Sequence, residues 1–130
     1  MNSKVPIAAI RALITDALSV AGLPRADAAV CAHLMGEADL TGADAHGVFR
    51  LPQYVRRLKA GGFNPRPSIT VTKSAPATAL VDGDNGMGHL VMSRAAPHRP
   101  VVGIRDRRVH PDHAGRGRHL GIEPGRARMV

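Results

Sequence analysis

Residues 37–71 read "EADLTGADAHGVFRLPQYVRRLKAGGFNPRPSITV", and the reading of the chain turns on them. Within this stretch His46, Arg50 and Tyr54 stand four residues apart in otherwise apolar surroundings. At about 3.6 residues per turn, a helix would stack these three side chains along one stripe. The spacing predicts a helix over residues 46–60 that stops at Gly61 and Gly62, with Arg56, Arg57 and Lys59 near its negative C-terminal end. Pro52 falls inside that span. Proline is tolerated in a first turn and bends an interior, so the helix either starts near Leu51 or kinks there.

On the N-terminal side, Ile7, Ile10, Ile14, Ala17, Leu18 and Ala21 recur at three- and four-residue steps and predict an amphipathic helix stopped by Gly22. A second helix is predicted from about Pro24 to about Ala38, making a helical hairpin around a tight "GLP" turn. On the C-terminal side, "NPRPS" reads as extended linker, because each residue before a proline is pushed out of the α region. Two β-rich runs follow, Ile69 to Thr72 and Thr78 to Val81, then a "DGDNGMG" turn and a fourth helix over Gly88 to Ala96.

The composition narrows the options. A chain of 130 residues suits one domain, and with no Trp, one Tyr and two Phe its core must be built from Ala, Leu, Val, Ile and Met. The formal charge of +8 is unevenly spread: residues 1–96 hold ten Lys and Arg against seven acids, residues 97–130 eight Arg against three. The tail is also rich in Gly, Pro and His without apolar periodicity, the pattern of poorly ordered sequence. No apolar run approaches the roughly 20 residues of a membrane span. A lone cysteine, Cys31, and an N-terminus without a secretory pattern point to a cytoplasmic protein.

Four constellations carry candidate chemistry. A histidine can exchange a proton near neutral pH, and an arginine can grip a carboxylate through two parallel hydrogen bonds. His46 and Arg50 therefore suit a 2-hydroxy or 2-oxo acid, the arginine anchoring the carboxylate and the histidine serving the neighbouring oxygen. Spacing alone allows the plainer alternative of a solvated helix face. "GDNGMGHLVM" places glycines before a helix but matches neither phosphate-loop pattern, so a turn explains it better. Cys31 with His33, and His110 with His113, lack further ligands at zinc spacing, and no metal is expected. The arginine-rich tail could meet nucleic acid through phosphates, although it lacks interleaved aromatics.

Three motifs occur together and in order: "DAHGVFRLPQY", "GGFNPRP" and "VDGDNGMG". With them, residues 5–96 resemble the N-terminal part of the type-2 malate/L-lactate dehydrogenase family, NAD(P)-dependent 2-hydroxyacid oxidoreductases distinct from the Rossmann-fold enzymes. The resemblance implies an α/β architecture in which this part, residues 1–96, forms a helical bundle with a small β unit, followed by a divergent basic tail over residues 97–130. It implies hydride transfer between NAD or NADP and a 2-hydroxy or 2-oxo acid, in a homodimer; the short apolar runs separately argue against a membrane, and the tail's lack of interleaved aromatics against nucleic acid as partner. It implies His46 as proton donor and acceptor, Arg50 as the carboxylate anchor and Tyr54 beside them in the substrate site. "VVGIRD" and "DHAG" resemble a strand and a histidine motif of the family, which would make His113 a second catalytic histidine.

Two departures stand out. The family motif usually has serine where this chain has Ala45, and a lost active-site hydrogen bond costs on the order of 1–3 kcal/mol if nothing replaces it. Family chains are also far longer, and "PHRP" after Ala96 replaces an expected stretch of helix, so a truncated or frame-disturbed member is expected here. The alternatives are a non-catalytic remnant serving as a binding or oligomerisation module, and a basic nucleic-acid-binding protein. For the last, deleting residues 97–130 should abolish DNA affinity in a filter-binding or anisotropy titration; affinity that survives clears the tail.

Overall fold

The structure is a computed structural model that describes residues 4–97 and 103–105. It opens with a helical hairpin: α1 spans Ile7–Val20 and α2 spans Arg25–Leu40. The turn between them is set by Gly22, whose φ of 117° lies where side chains are disfavoured. Its N–H reaches the Ser19 carbonyl while Leu23 N–H reaches back to Leu18, closing the end of α1 in a Schellman motif. Leu23 is thereby turned into the core. Gly42, at φ 79°, ends α2 in the same way, with Ala43 N–H on the Ala38 carbonyl.

Two 3₁₀ turns, Asp44–His46 and Val48–Arg50, lead into α3, which spans Leu51–Lys59. The helix expected over residues 46–60 thus starts at Leu51, with Pro52 inside its first turn, where a missing N–H costs nothing. A hairpin follows. Strand β1, Thr70–Ala75, pairs antiparallel with β2, Thr78–Asp82, in the register Val71 to Val81, with an irregularity between Lys73 and Ala75. Helix α4 spans Gly88–Ala95. Strand β3, Gly103–Arg105, then pairs parallel with β2, giving the sheet order β1-β2-β3. A parallel pair needs a crossover, and α4 lies on the connection between β2 and β3.

The core sits where the hairpin, α3 and α4 meet. Ile14 and Leu18 of α1, Cys31 and Met35 of α2, Leu51 and Leu58 of α3, and Met87 and Leu90 around α4 form one buried cluster. Val81 of β2 packs with Val91 and Ala95 of α4 in a smaller second cluster between helix and sheet. As the composition required, no aromatic ring is fully buried among the described residues, and aliphatic and Met side chains fill the interior. The Cys31 thiol is pushed up to about 12 by desolvation first and by the Asp27 charge second. It therefore stays protonated near neutral pH and acts as a packing residue.

Two of the three sequence motifs hold each other. Asp84 and Asn85 both adopt positive φ, 47° and 54°, which Asp and Asn tolerate better than most residues. In that conformation Asp84 Oδ2 accepts from Asn64 Nδ2 and from Ser68 N–H, both at 2.9 Å. The Asn64 N–H donates in turn to the Asn85 carbonyl at 2.8 Å. Gly86 is bare because a Cβ there would sit 2.7 Å from Pro67. "GGFNPRP" and "VDGDNGMG" are therefore the two sides of one latch that fixes the start of α4 against the end of α3.

Replacing Asp84 with Ala strands two donors and puts Ala at positive φ, so unfolding in urea should show a loss of about 2–3 kcal/mol. Asp84→Asn keeps an acceptor oxygen and the tolerance for positive φ, and should cost clearly less.

Candidate active site

Asp39 lies in the last turn of α2, where the helix dipole disfavours a carboxylate. It is compensated from outside the helix: Val48 N–H donates to Asp39 Oδ2 at 3.0 Å and to Oδ1 at 3.3 Å. Gly47 makes this approach possible. A Cβ at position 47 would fall 1.6 Å from Asp39 Oδ1, inside the carboxylate itself. Gly47 is also extended, with φ −90° and ψ −148°, and so separates the two 3₁₀ turns. His46 stands just before this break and Arg50 just after it.

The break changes the expected stripe. Arg50 has helical dihedrals, φ −81° and ψ −11°, and directly precedes α3, so Arg50 and Tyr54 remain on one helical file a turn apart. His46 does not belong to that file. It is an exposed side chain at the end of the first 3₁₀ turn. The arginine is anchored locally: Nε donates to the Ala45 carbonyl at 2.8 Å, and another guanidinium nitrogen to Gln53 Oε1 at 2.8 Å. The first bond ties Arg50 to the turn that carries His46, bridging the break.

Tyr54 is half-buried between two rings. Phe63 lies tilted at 6.3 Å between centroids, and His89 of α4 stands edge-on at 5.4 Å. Edge-to-face stacking of this kind adds roughly 0.5–1.5 kcal/mol beyond burial. The His89 imidazole is pushed below its ordinary range, first by desolvation and then by the positive charge of His46. His46 thus stands within electrostatic reach of His89. Beside them opens a pocket of about 300 Å³ walled by Leu34, Tyr54, Phe63, Met87, His89 and Met92.

Among the residues named from the sequence, Tyr54 lines this pocket, Arg50 lies one helical turn before it, and His46 stands on the neighbouring turn to which Arg50 is bonded through the Ala45 carbonyl. His113 lies outside the described residues. Cys31 is buried and His33 exposed, two positions apart on α2, and no group of three or more potential metal ligands occurs among the described residues. His89 and Asp39 were not singled out by sequence reasoning. The signal for Asp39 was an acid at a helix C-terminus, which calls for a donor elsewhere. For His89 the only signal was its place directly after the glycine turn, which does not reveal that α4 folds onto Tyr54.

The glycine turn itself does not form a dinucleotide cradle. Gly86 is filled by Pro67, and a Cβ on Gly83 would meet Val91 at 2.9 Å. Both glycines serve close packing within the chain, and the turn's Asp84 is engaged by Asn64 and Ser68. The packing of this turn therefore leaves no room at Gly83 or Gly86 for a nicotinamide dinucleotide.

Comparison with known proteins defines the class. A model of the malate/L-lactate dehydrogenase family matches residues 5–99. The chain is 46% identical over 83 residues to L-sulfolactate dehydrogenase of Methanocaldococcus jannaschii, covering 64% of this chain and 24% of that protein. It is 39% identical over 92 residues to malate dehydrogenase of Pyrococcus horikoshii, covering 71% of this chain and 26% of that one. The solved structure of malate dehydrogenase from Pyrococcus horikoshii OT3 superposes with a TM-score of 0.68 at 38% identity, over 73% of this chain and 27% of the other. The fold is that of a part of these α/β dehydrogenases, and the chain belongs to the malate/L-lactate dehydrogenase family. It spans about a quarter of the length of the relatives it matches.

Two measurements check the site. Gly47→Ala must expel the Asp39 carboxylate from Val48 N–H, which should cost about 1–3 kcal/mol in urea unfolding and shift the His46 ring signals in NMR. The pH dependence follows from His89. Its folded pKa lies below the unfolded value of about 6.5, so its contribution to stability is full above that value and is lost as pH falls toward the folded pKa. Unfolding midpoints at about pH 7.5 and about pH 5.5 should therefore differ more in the native protein than in His89→Gln.

Proposed function

We propose that this chain is the acid-binding part of an NAD(P)-dependent 2-hydroxyacid dehydrogenase. The observation that carries the reading is the bond from Arg50 to the Ala45 carbonyl, which sets a guanidinium beside the turn that presents His46. Arg50 grips the substrate carboxylate. His46 gives or takes the proton on the C2 oxygen, and its exposed position lets a substrate reach it. Tyr54, one turn beyond Arg50 on the same file, lines the substrate's further side.

The choice of NAD or NADP as hydride partner rests on family membership, and no residue described above is assigned to it. The reading further places the protein in the cytoplasm, in keeping with its lone buried cysteine; no helix among the described residues is long and apolar enough to cross a membrane. A homodimer is the proposed assembly. In support, Phe49, between the two candidate residues, is 77% exposed, and Leu40 is exposed as well. Large apolar side chains left in water beside a site favour a covering partner.

Pyruvate titrated into the isotope-labelled chain should shift the His46 ring signals. Removing a charge-assisted bidentate hydrogen bond costs about 2–3 kcal/mol, so Arg50→Ala should weaken pyruvate roughly 30- to 150-fold. If Arg50→Ala binds pyruvate as well as the native chain does, the assignment fails. Turnover is tested separately, with NADH or NADPH and a panel of 2-oxo acids.

A further inference from the structure

Helix α4 carries two soft metal-binding groups that the candidate site does not use. His89 and Met92 stand three residues apart in "HLVM", so they share one face of α4 with their Cβ atoms about 5–6 Å apart. Both line the pocket of about 300 Å³. The packed side of the helix lies elsewhere, at Leu90, Val91 and Ala95.

Each of the two groups is available to a ligand. Met87 is fully buried, and packing accounts for it; Met92 is 52% exposed, so the core does not consume its thioether. His89 makes no hydrogen bond among the described residues. Its ring nitrogens are not sealed from solvent either, because the buried side-chain nitrogen and oxygen atoms without a partner belong to Arg11 and Ser19. Burial first and the His46 charge second hold the imidazole toward its neutral form, which keeps a nitrogen lone pair free to bind a metal. Tyr54 stands edge-on to the ring at 5.4 Å and steadies it from the side.

The donor types decide which ion would suit. A thioether sulfur favours a soft ion such as copper(I), and an imidazole nitrogen accepts the same ion. No carboxylate lines the pocket, so the hard cations magnesium and calcium find none of the charged oxygens they need. Zinc takes thiolate, imidazole and carboxylate ligands, and of these the wall offers a single imidazole. Two positive groups act nearby, Arg57 over the Phe63 ring at 4.4 Å and His46 through its charge on His89, and they oppose a divalent ion more than a monovalent one. We infer that His89 and Met92 form a chelating pair for a soft monovalent cation, copper(I) or silver(I), in the wall of this pocket. The pair uses neither Arg50 nor His46 as a ligand and stands apart from the acid-binding reading.

Tyr54 is the one tyrosine of a chain without tryptophan, so intrinsic fluorescence reports on this wall alone. Silver nitrate titrated into the full chain, in chloride-free buffer at about pH 7.5 where histidine is mostly neutral, should change that emission. The His89 ring and Met92 methyl signals in NMR should move with the same midpoint. Met92→Leu keeps the bulk and removes the sulfur, and His89→Gln removes the imidazole; each should raise the midpoint at least roughly 10-fold. Zinc sulfate should leave the Met92 signal in place. Silver that binds Met92→Leu as tightly as the native chain would overturn the pair. So would silver that shifts the amide of Cys31, the buried rival thiol, while Met92 stays still. Zinc that moves both signals as silver does would overturn the choice of ion.

Discussion

Asp39 stands at the wrong end of its helix, and the candidate site follows from how that is resolved. A carboxylate at a helix C-terminus faces the negative end of the dipole, and its compensation must come from a donor beyond the helix. The donor is Val48 N–H, reached only because Gly47 has no side chain to fill the space the carboxylate occupies. This one contact brings the chain leaving α2 back across the helix end. It breaks the backbone between His46 and Arg50, places the histidine on a separate turn and lets α3 start at Leu51. The glycine of the motif's "HG" pair is thus required by Asp39.

The second constraint comes from the Asp84 latch. The hairpin of α1 and α2 and the sheet with α4 are built from different local rules, one with a period of 3.6 and the other with a period of two. Their relative placement near the site depends on polar bonds from residue 64 to residue 85 and from residue 68 to residue 84. The latch determines where α4 begins, and His89 is the second residue of α4. The contact between His89 and Tyr54 therefore follows from the latch together with the burial of Met87 and Leu90 in the main core. Both motifs that follow the candidate residues in sequence thus serve as scaffolding.

Much of this was legible in the residues. Helices α1, α2 and α4 and both hairpin strands lie where apolar period and glycine stops put them, because each buries a face that local sequence already defines. The strand implied by "VVGIRD" is present as β3. The start of α3 was left open between two positions, and Pro52 with the extended Gly47 decides for Leu51. The stripe of three polar residues was half right: Arg50 and Tyr54 share a file, and His46 does not. What could not be read was any contact made across sequence, since Asp39 to Val48 and His89 to Tyr54 depend on where whole elements are set down. His113 lies outside the described residues.

Ala45 shows how the site can depart from its family motif without losing its frame. Arg50 Nε is held by the backbone carbonyl of residue 45, at 2.8 Å, and a carbonyl is present whichever side chain the position bears. Exchanging serine for alanine therefore leaves the link between the two candidate residues in place and removes only a hydroxyl from an exposed position. A hydroxyl there would offer one donor and two acceptor lone pairs to a polar ligand group. Its absence makes the surface of the turn that carries His46 less polar without loosening Arg50.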